Sequence, residues 1–293
     1  MVSSPSLREW RQAAVARLVS AGVDQADADT TWMACHVLGL SRGELEVRAA
    51  TSTDPLEDNH LSLLEQMVER RCTREPLWHI LGQAPFLGME LMVGPGVFSP
   101  RPETELLAHT AITELLSMET PTGELAVWDI GAGSGAIALA IARGVTHARV
   151  TCVEPSEDAH KFLAENITRF GDDRVALLKA TAADAINHVG PGSLDVVVSN
   201  PPYLIRESDW VDVETGTFDP DSALYAEDGG LAVMADVAAF AAFALRPGGV
   251  LLVEHGITHN DPVAALFSEH GFGLISHHND LVGRPRITRA TKP

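Results

Sequence analysis

The stretch Val196-Val197-Val198-Ser199-Asn200-Pro201-Pro202-Tyr203 constrains this chain more than any other. An apolar run bounded by a break that no strand can continue reads as a central parallel strand ending at an exposed rim. Asn-Pro and Pro-Pro are turn signals, and neither proline donates to a ladder. What remains at the strand's carboxyl end is mostly acceptors: the Asn200 side-chain oxygen and the carbonyls of Pro201 and Pro202. Open α/β sheets place their ligands at such ends. Acceptors held there by stiff prolines suit an –NH2 group. An ordinary strand-ending turn is the plain alternative.

With 293 residues the chain suits two domains. A hydrophobic share of 45% and a charged share of 21% describe a globular protein with ample core. The net charge is −19, from 40 acidic against 21 basic residues. Nonspecific binding to free nucleic acid needs a basic footprint, so that function class is disfavoured. Arg284, Arg286, Arg289 and Lys292 cluster near the C-terminus and read as a solvated tail. Cys35, Cys72 and Cys152 are too few and too widely spaced for a disulfide framework or a zinc site. No signal-peptide run and no apolar span of about 18 residues is present, so a cytoplasmic protein without membrane contact is expected.

Residues 1 to about 75 read as a small helical domain. Ser6-Leu7-Arg8-Glu9 is a capping box opening a segment with Leu7, Trp10, Ala14 and Leu18 on one face. Further helices are expected from Asp24 to Leu38, after Ser41, and from Pro55 to about Arg71. Residues 76–98 carry turn glycines and loose alternation, which predicts a β-hairpin linker. Phe98-Ser99-Pro100-Arg101-Pro102-Glu103-Thr104-Glu105 then forms a rigid loop and the start of a helix. Residues 99–293 form the second domain. Strands are expected at residues 125–130, 149–153, 175–178, 194–199, 250–253, 272–276 and 286–289, with helices between them. Such alternation predicts a doubly wound, mostly parallel sheet.

Gly131-Ala132-Gly133-Ser134-Gly135 follows a strand and opens a helix. Glycines there let the backbone approach a ligand, and Glu154, at the end of the next strand, suits two ribose hydroxyls. The strict alternation of glycines departs from the G-x-G-x-x-G of dinucleotide sites and suits S-adenosylmethionine, which has no pyrophosphate to hold. The two motifs constrain each other: an activated methyl group over the first strands would face an –NH2 acceptor held by Asn200 and Pro201.

Asn200-Pro201-Pro202-Tyr203, the Asp129–Gly135 loop and the Ser99–Glu105 stretch together resemble the peptide chain release factor N5-glutamine methyltransferases, the PrmC or HemK family. Glu75-Pro76-Leu77, Asp228-Gly229-Gly230-Leu231, Glu254-His255-Gly256 and Asp280-Leu281-Val282-Gly283-Arg284 extend the resemblance over nearly the whole chain. It implies a Rossmann-like class I S-adenosylmethionine-dependent methyltransferase domain, with a mostly parallel seven-stranded sheet, behind a helical substrate-recognition domain. The implied reaction is methyl transfer to the glutamine of the release factor GGQ loop. Gly131, Ala132, Gly133, Ser134, Gly135, Glu154, Ala182 and Asn200 would contact the donor. Asn200, Pro201, Pro202 and Tyr203 would hold the glutamine amide, and Phe98 and Arg101 would wall the site. Glu154 stands where the family usually has Asp, and Thr181 and Ala182 where it usually has an acidic residue, with Asp184 a possible substitute. His259 stands where the family tends to have glutamine and receives no role. A monomer is expected.

The Asn-Pro-Pro-Tyr tetrad alone is shared with adenine-N6 methyltransferases of nucleic acid, which the charge disfavours. A glutamine methyltransferase of a ribosomal protein is the nearer alternative. A nicotinamide-dependent dehydrogenase lacks its glycine spacing here, and a non-catalytic binding protein has no positive support. His277, His278 and Asp280 lack a third spaced ligand and read as loop residues rather than a metal site. Trp32 and Trp78 read as packing residues, and Cys152 as a small buried apolar one.

Overall fold

The computed structural model describes residues 4–119, 123–206 and 211–293. The chain divides into two compact units, Met1–Gly82 with Val211–Phe218, and Gln83–Trp210 with Asp219–Pro293. No helix among the described residues is long and apolar enough to cross a membrane.

The first unit is helical: Leu7–Ser20, Ala26–Leu38, Arg42–Thr51, Asp58–Cys72 and the short Leu77–Leu81. Capping boxes start two of these helices. Ser6 and Ser41 each accept from the backbone three residues on, while Glu9 and Glu44 reach back. Gly39 ends the second helix in the left-handed region, where a Cβ would be strained. Leu7, Trp10, Leu18, Met33, Leu45 and Leu64 form its core. Trp78 packs against this core, whereas Trp32 is 44% exposed and meets Trp78 edge-on.

Two boundaries differ from the sequence expectation. Residues 77–81, read there as part of the hairpin, are helical, and Leu77, Ile80 and Leu81 are buried in the helical core. The unit therefore runs to Gly82 rather than residue 75. Val211–Phe218, placed by sequence order in the second domain, belongs to the first unit. The cause is electrostatic. Arg71 is buried and donates to Asp29 at 2.7 Å and to Glu214 at 2.8 Å, and Arg74 reaches the same Glu214 oxygen at 3.0 Å. A buried guanidinium needs such partners.

The second unit opens with a hairpin, β1 (Gln83–Phe86) and β2 (Met89–Met92). Both turn residues, Leu87 and Gly88, have positive φ, the backbone that matches strand twist in a two-residue hairpin. Seven strands follow: β3 (Leu125–Ile130), β4 (Ala148–Val153), β5 (Val175–Leu178), β6 (Leu194–Ser199), β7 (Leu245–Glu254), β8 (Gly273–Asn279) and β9 (Pro285–Thr291). They form one sheet in the order β5-β4-β3-β6-β7-β9-β8. The first five are parallel, and β9 is inserted antiparallel to both β7 and β8. One apolar layer holds helix residues Leu107, Ala111, Leu139, Ile141 and Leu163 against Val127, Val150 and Val196. The opposite layer packs Met234, Val237, Phe240 and Phe267 on Trp128, Val197 and Leu251. Alternate residues of β6 thus enter both layers, which is why its sequence is an unbroken apolar run. Cys152 is fully buried within β4.

Candidate active site

The register of the central strands lines up their carboxyl ends. Ile130 pairs with Val153 of β4 on one side and with Ser199 of β6 on the other. Glu154, Gly131 and Asn200 therefore leave the sheet side by side. At about 4.8 Å per strand, Glu154 and Asn200 stand about 10 Å apart across the glycine loop. Gly131 and Ala132 donate back to the Val153 carbonyl at 2.8 and 3.0 Å, and Ser199 Oγ donates to the Ile130 carbonyl at 2.6 Å. These bonds close the strand ends and pin the loop.

Gly131 and Gly133 have φ of +74° and +56°, and a Cβ built on either meets nothing within 4 Å. The loop backbone thus faces open space, with two positions that disfavour any side chain. Gly135 differs: at φ +85° a Cβ would lie 2.6 Å from Leu163 Cδ1, so this glycine serves close packing of the helix Ala136–Gly144. Ala132 and Ser134 are buried beneath the loop.

Glu154 is 6% exposed, and its carboxylate organises the loop. Gly133 N–H donates to Oε2 at 2.7 Å and Ser156 N–H to Oε1 at 2.8 Å. Burial pushes its pKa up, and the two amides oppose that shift. An ionised carboxylate offers about four acceptor positions, so two remain for hydroxyl donors. The extra methylene relative to Asp lets the side chain fold back onto the loop.

Asp184 does not stand free to replace an adenine-binding acid. Its backbone N–H and carboxylate both engage Thr181 Oγ1, at 3.1 and 2.8 Å, in a helix cap next to the buried Ala182.

On the other flank, Pro201 is buried and Pro202 and Tyr203 are partly covered. The chain after the tetrad is tied down by bonds from Leu204 N–H to Leu224 O and from Ala226 N–H to Leu204 O, at 2.9 and 3.0 Å. Asn200 Nδ2 donates to Thr104 Oγ1 at 3.1 Å, which joins the tetrad to the helix Pro102–Ser117. Phe98 and Arg101 lie just before that helix. The Arg101 guanidinium sits 5.0 Å from the Phe98 ring centre and pairs at 3.1 Å with the buried Asp219. Burial, with Glu254 second, pushes the Tyr203 phenol up to about 12, so it stays neutral.

Three residues to which the sequence assigns no role also pack here. Thr104 and Glu254 are both buried, and burial pushes the Glu254 carboxyl up to about 7. His259 is buried with its ring 6.2 Å from that of Tyr203, and its Nε2 lies 3.0 Å from the Gly229 carbonyl. Gly230 is packed against the Tyr203 carbonyl. His277 Nδ1 meets Thr288 Oγ1 at 3.0 Å, and Asp280 accepts from Val282, Arg284 and the Arg284 side chain in a hairpin tip.

Known proteins resemble this chain along its length. Residues 9–82 match the PrmC N-terminal domain and residues 88–246 the methyltransferase small domain. A release factor glutamine methyltransferase of Streptomyces coelicolor is 41% identical over 95% of both chains. Its counterpart in Mycolicibacterium smegmatis is 37% identical over 98% of both. A 4-amino-L-phenylalanine/4-methylamino-L-phenylalanine methyltransferase of Streptomyces pristinaespiralis is 36% identical over 92% of this chain and 89% of its own. Among solved structures, a T. Thermophilus 16S rRNA N2 methyltransferase in complex with AdoMet and guanosine aligns with a TM-score of 0.51. It covers 72% of this chain and 50% of that one at 23% identity, a likeness of fold alone. With a methyltransferase domain over more than half its length and full-length relatives above 30% identity, the chain belongs to the family of release factor glutamine methyltransferases.

Proposed function

We propose that this enzyme transfers a methyl group from S-adenosylmethionine to the side-chain amide nitrogen of the glutamine in the GGQ loop of peptide chain release factors, in the cytoplasm. The observation that carries the reading is the level ending of β4, β3 and β6, which sets Glu154, the glycine loop and Asn200 in one row. The donor fits this row. The open face above Gly131 and Gly133 suits its methionine part, and the unused acceptor positions of Glu154 suit its ribose. Ala182, buried at the end of the row beyond β5, is left as the apolar contact for the adenine.

When bound, the donor supplies an electrophilic methyl group on a sulfonium that leaves without further activation. The chain's own residues then have two tasks. An amide nitrogen is a weak nucleophile because its lone pair is delocalised, so alignment must lower the barrier. Asn200 Oδ1 and the Pro201 carbonyl accept the two N–H groups and turn the nitrogen towards the methyl. The same acceptors disperse positive charge as the nitrogen is alkylated. Tyr203 and Pro202 line the amide, while Phe98 under Arg101 walls the cleft and excludes water. The proton leaves after transfer, so the neutral Tyr203 is not needed as a base.

The test is mass spectrometry of a purified release factor after incubation with the protein and S-adenosylmethionine, with free 4-amino-L-phenylalanine in a parallel reaction. One added methyl on the GGQ glutamine, absent with Asn200→Ala, is expected. Methylation of the free amino acid alone would overturn the substrate assignment, and near-normal turnover by Asn200→Ala would overturn the mechanism.

A further inference from the structure

A neutral imidazole carries one N–H, and what faces each ring nitrogen decides which of them bears it. His259 Nε2 lies 3.0 Å from the Gly229 carbonyl, which only accepts, so Nε2 bears the proton and donates. Nδ1 is buried with no hydrogen-bond partner among the described residues. A Cβ built on Gly256 would lie 2.8 Å from that Nδ1, and one built on Gly230 would lie 2.7 Å from Nε2. The ring therefore fills the space between two glycine backbones and directs its single donor to the turn that carries one of them.

That turn does not hold itself. Asp228, Gly229 and Gly230 are three successive left-handed residues, at φ +53°, +66° and +86°, and a non-glycine residue in that region persists only where its surroundings fix it. The Gly229 carbonyl is one point at which they do so. The turn borders Tyr203: a Cβ on Gly230 would stand 2.3 Å from the Tyr203 carbonyl oxygen. On the other side the Tyr203 ring meets Gly256, whose Cβ would stand 3.4 Å from Cδ2. Gly256 is fixed separately. Its carbonyl accepts from the His259 backbone N–H at 3.0 Å and from His255 Nδ1 at 2.9 Å, while His255 Nε2 accepts the Thr288 hydroxyl of β9 at 2.9 Å. The Gly256 side of Tyr203 thus rests on the sheet, and the His259 ring ties the Gly230 side to it.

We propose that His259 is a positioning residue that, through Nε2–H on the Gly229 carbonyl, keeps the Gly229–Gly230 turn seated on Tyr203 and so sets where the Asn-Pro-Pro-Tyr tetrad ends. The proposal rests on the tetrad holding the substrate nitrogen. What it requires is a donor at one place, not an imidazole. A glutamine side chain brings its amide N–H to the depth of the imidazole Nε2. An asparagine, one carbon shorter, reaches only the depth of Nδ1, which faces Gly256. The first substitution keeps the tie to the turn and the second removes it.

The experiment compares His259→Gln and His259→Asn in the full chain, with release factor and S-adenosylmethionine. His259→Asn should lose about tenfold in kcat, short of the roughly hundredfold that a displacement of about 1 Å costs, whereas His259→Gln should stay within about threefold. The affinity for S-adenosylmethionine, read by isothermal titration, should change by less than about twofold in both, because Glu154 and the glycine loop are untouched. That result also shows that both variants fold. Two readouts are independent of turnover. Long-range proton–nitrogen correlation should show His259 of the native protein as the Nε2–H tautomer, assigned by its loss in His259→Gln. The chain has two tyrosines, so the ring signals of Tyr203 can be assigned with Tyr225→Phe. They should coincide in the native protein and His259→Gln and be displaced in His259→Asn. Native turnover by His259→Asn, a His259→Gln no better than His259→Asn, an Nδ1–H tautomer, or Tyr203 signals unmoved in His259→Asn would each overturn the proposal. If the native protein leaves release factor unmethylated, the tautomer and the Tyr203 signals still decide the positioning role, and only the substrate reading fails.

Discussion

Gly229 and Gly230 are adjacent and both left-handed, yet the structure makes opposite demands on them. Gly230 has φ +86°, and a Cβ there would lie 2.3 Å from the Tyr203 carbonyl oxygen and 2.7 Å from His259 Nε2. Gly229 has φ +66°, and its Cβ would meet nothing within 4 Å. Replacing either by alanine incurs the left-handed strain of an L-residue, about 1–2 kcal/mol. For a chain of this size that lowers Tm by about 2–8 °C in both variants. Only Gly230→Ala adds a collision with backbone. Restoring an ordinary contact of about 3.5 Å requires the Tyr203 carbonyl to retreat by about 1 Å. Tyr203 ends the tetrad proposed to hold the substrate amide, and a misplacement of that size costs about a hundredfold in rate. The assay is kcat from methyl incorporation into release factor, alongside thermal unfolding. Gly230→Ala should lose about a hundredfold in kcat while Gly229→Ala stays within about threefold, with Tm lowered in both and further in Gly230→Ala. Equal kcat in the two variants would refute the argument that Gly230 sets the tetrad's position.

Other perturbations have equally definite outcomes. Arg71→Ala leaves Asp29 buried without its cation; breaking a buried pair costs about 3–5 kcal/mol, and the helical unit should unfold earlier in calorimetry while Arg71→Lys recovers part of the loss. Asp129 is fully buried, and burial pushes its carboxyl up from 3.8 to about 7. The folded state holds that proton more tightly than the unfolded one, so this stability is present below pH ~4 and is lost as pH rises through about 7. Asp129→Asn should therefore gain in Tm relative to the native protein at pH 8 but not at pH 4; an equal difference at both would contradict the assignment. Glu154→Gln replaces one acceptor oxygen by an NH2 facing a loop amide, and S-adenosylmethionine should bind about ten- to a hundredfold more weakly by isothermal titration.

Part of this architecture is legible in the sequence because it is written in local chemistry. Repeated strand, turn and helix signals after residue 125 lead to a parallel sheet, since each element's burial pattern is set by its own residues. The glycines of Gly131–Gly135 and the prolines of the tetrad mark their loops because positive φ and missing N–H groups are properties of single residues. The same locality explains the capping boxes at Ser6 and Ser41.

What the tertiary structure decided are relations between residues far apart in the chain. The insertion of β9 between β7 and β8 depends on ladder bonds, which no single strand encodes. Val211–Phe218 joins the helical unit because the buried Arg71 needs Glu214, a partner 143 residues away. Thr104, in a helix's first turn, lies within the Ser99–Glu105 stretch, but nothing local in the sequence gives its partner. Thr104 meets Asn200 only when a strand end and a helix start converge across a separation of 96 residues. Residue type and spacing along the chain determine backbone conformation and local capping; the direction of a buried hydrogen bond is determined only by what packing places at its other end.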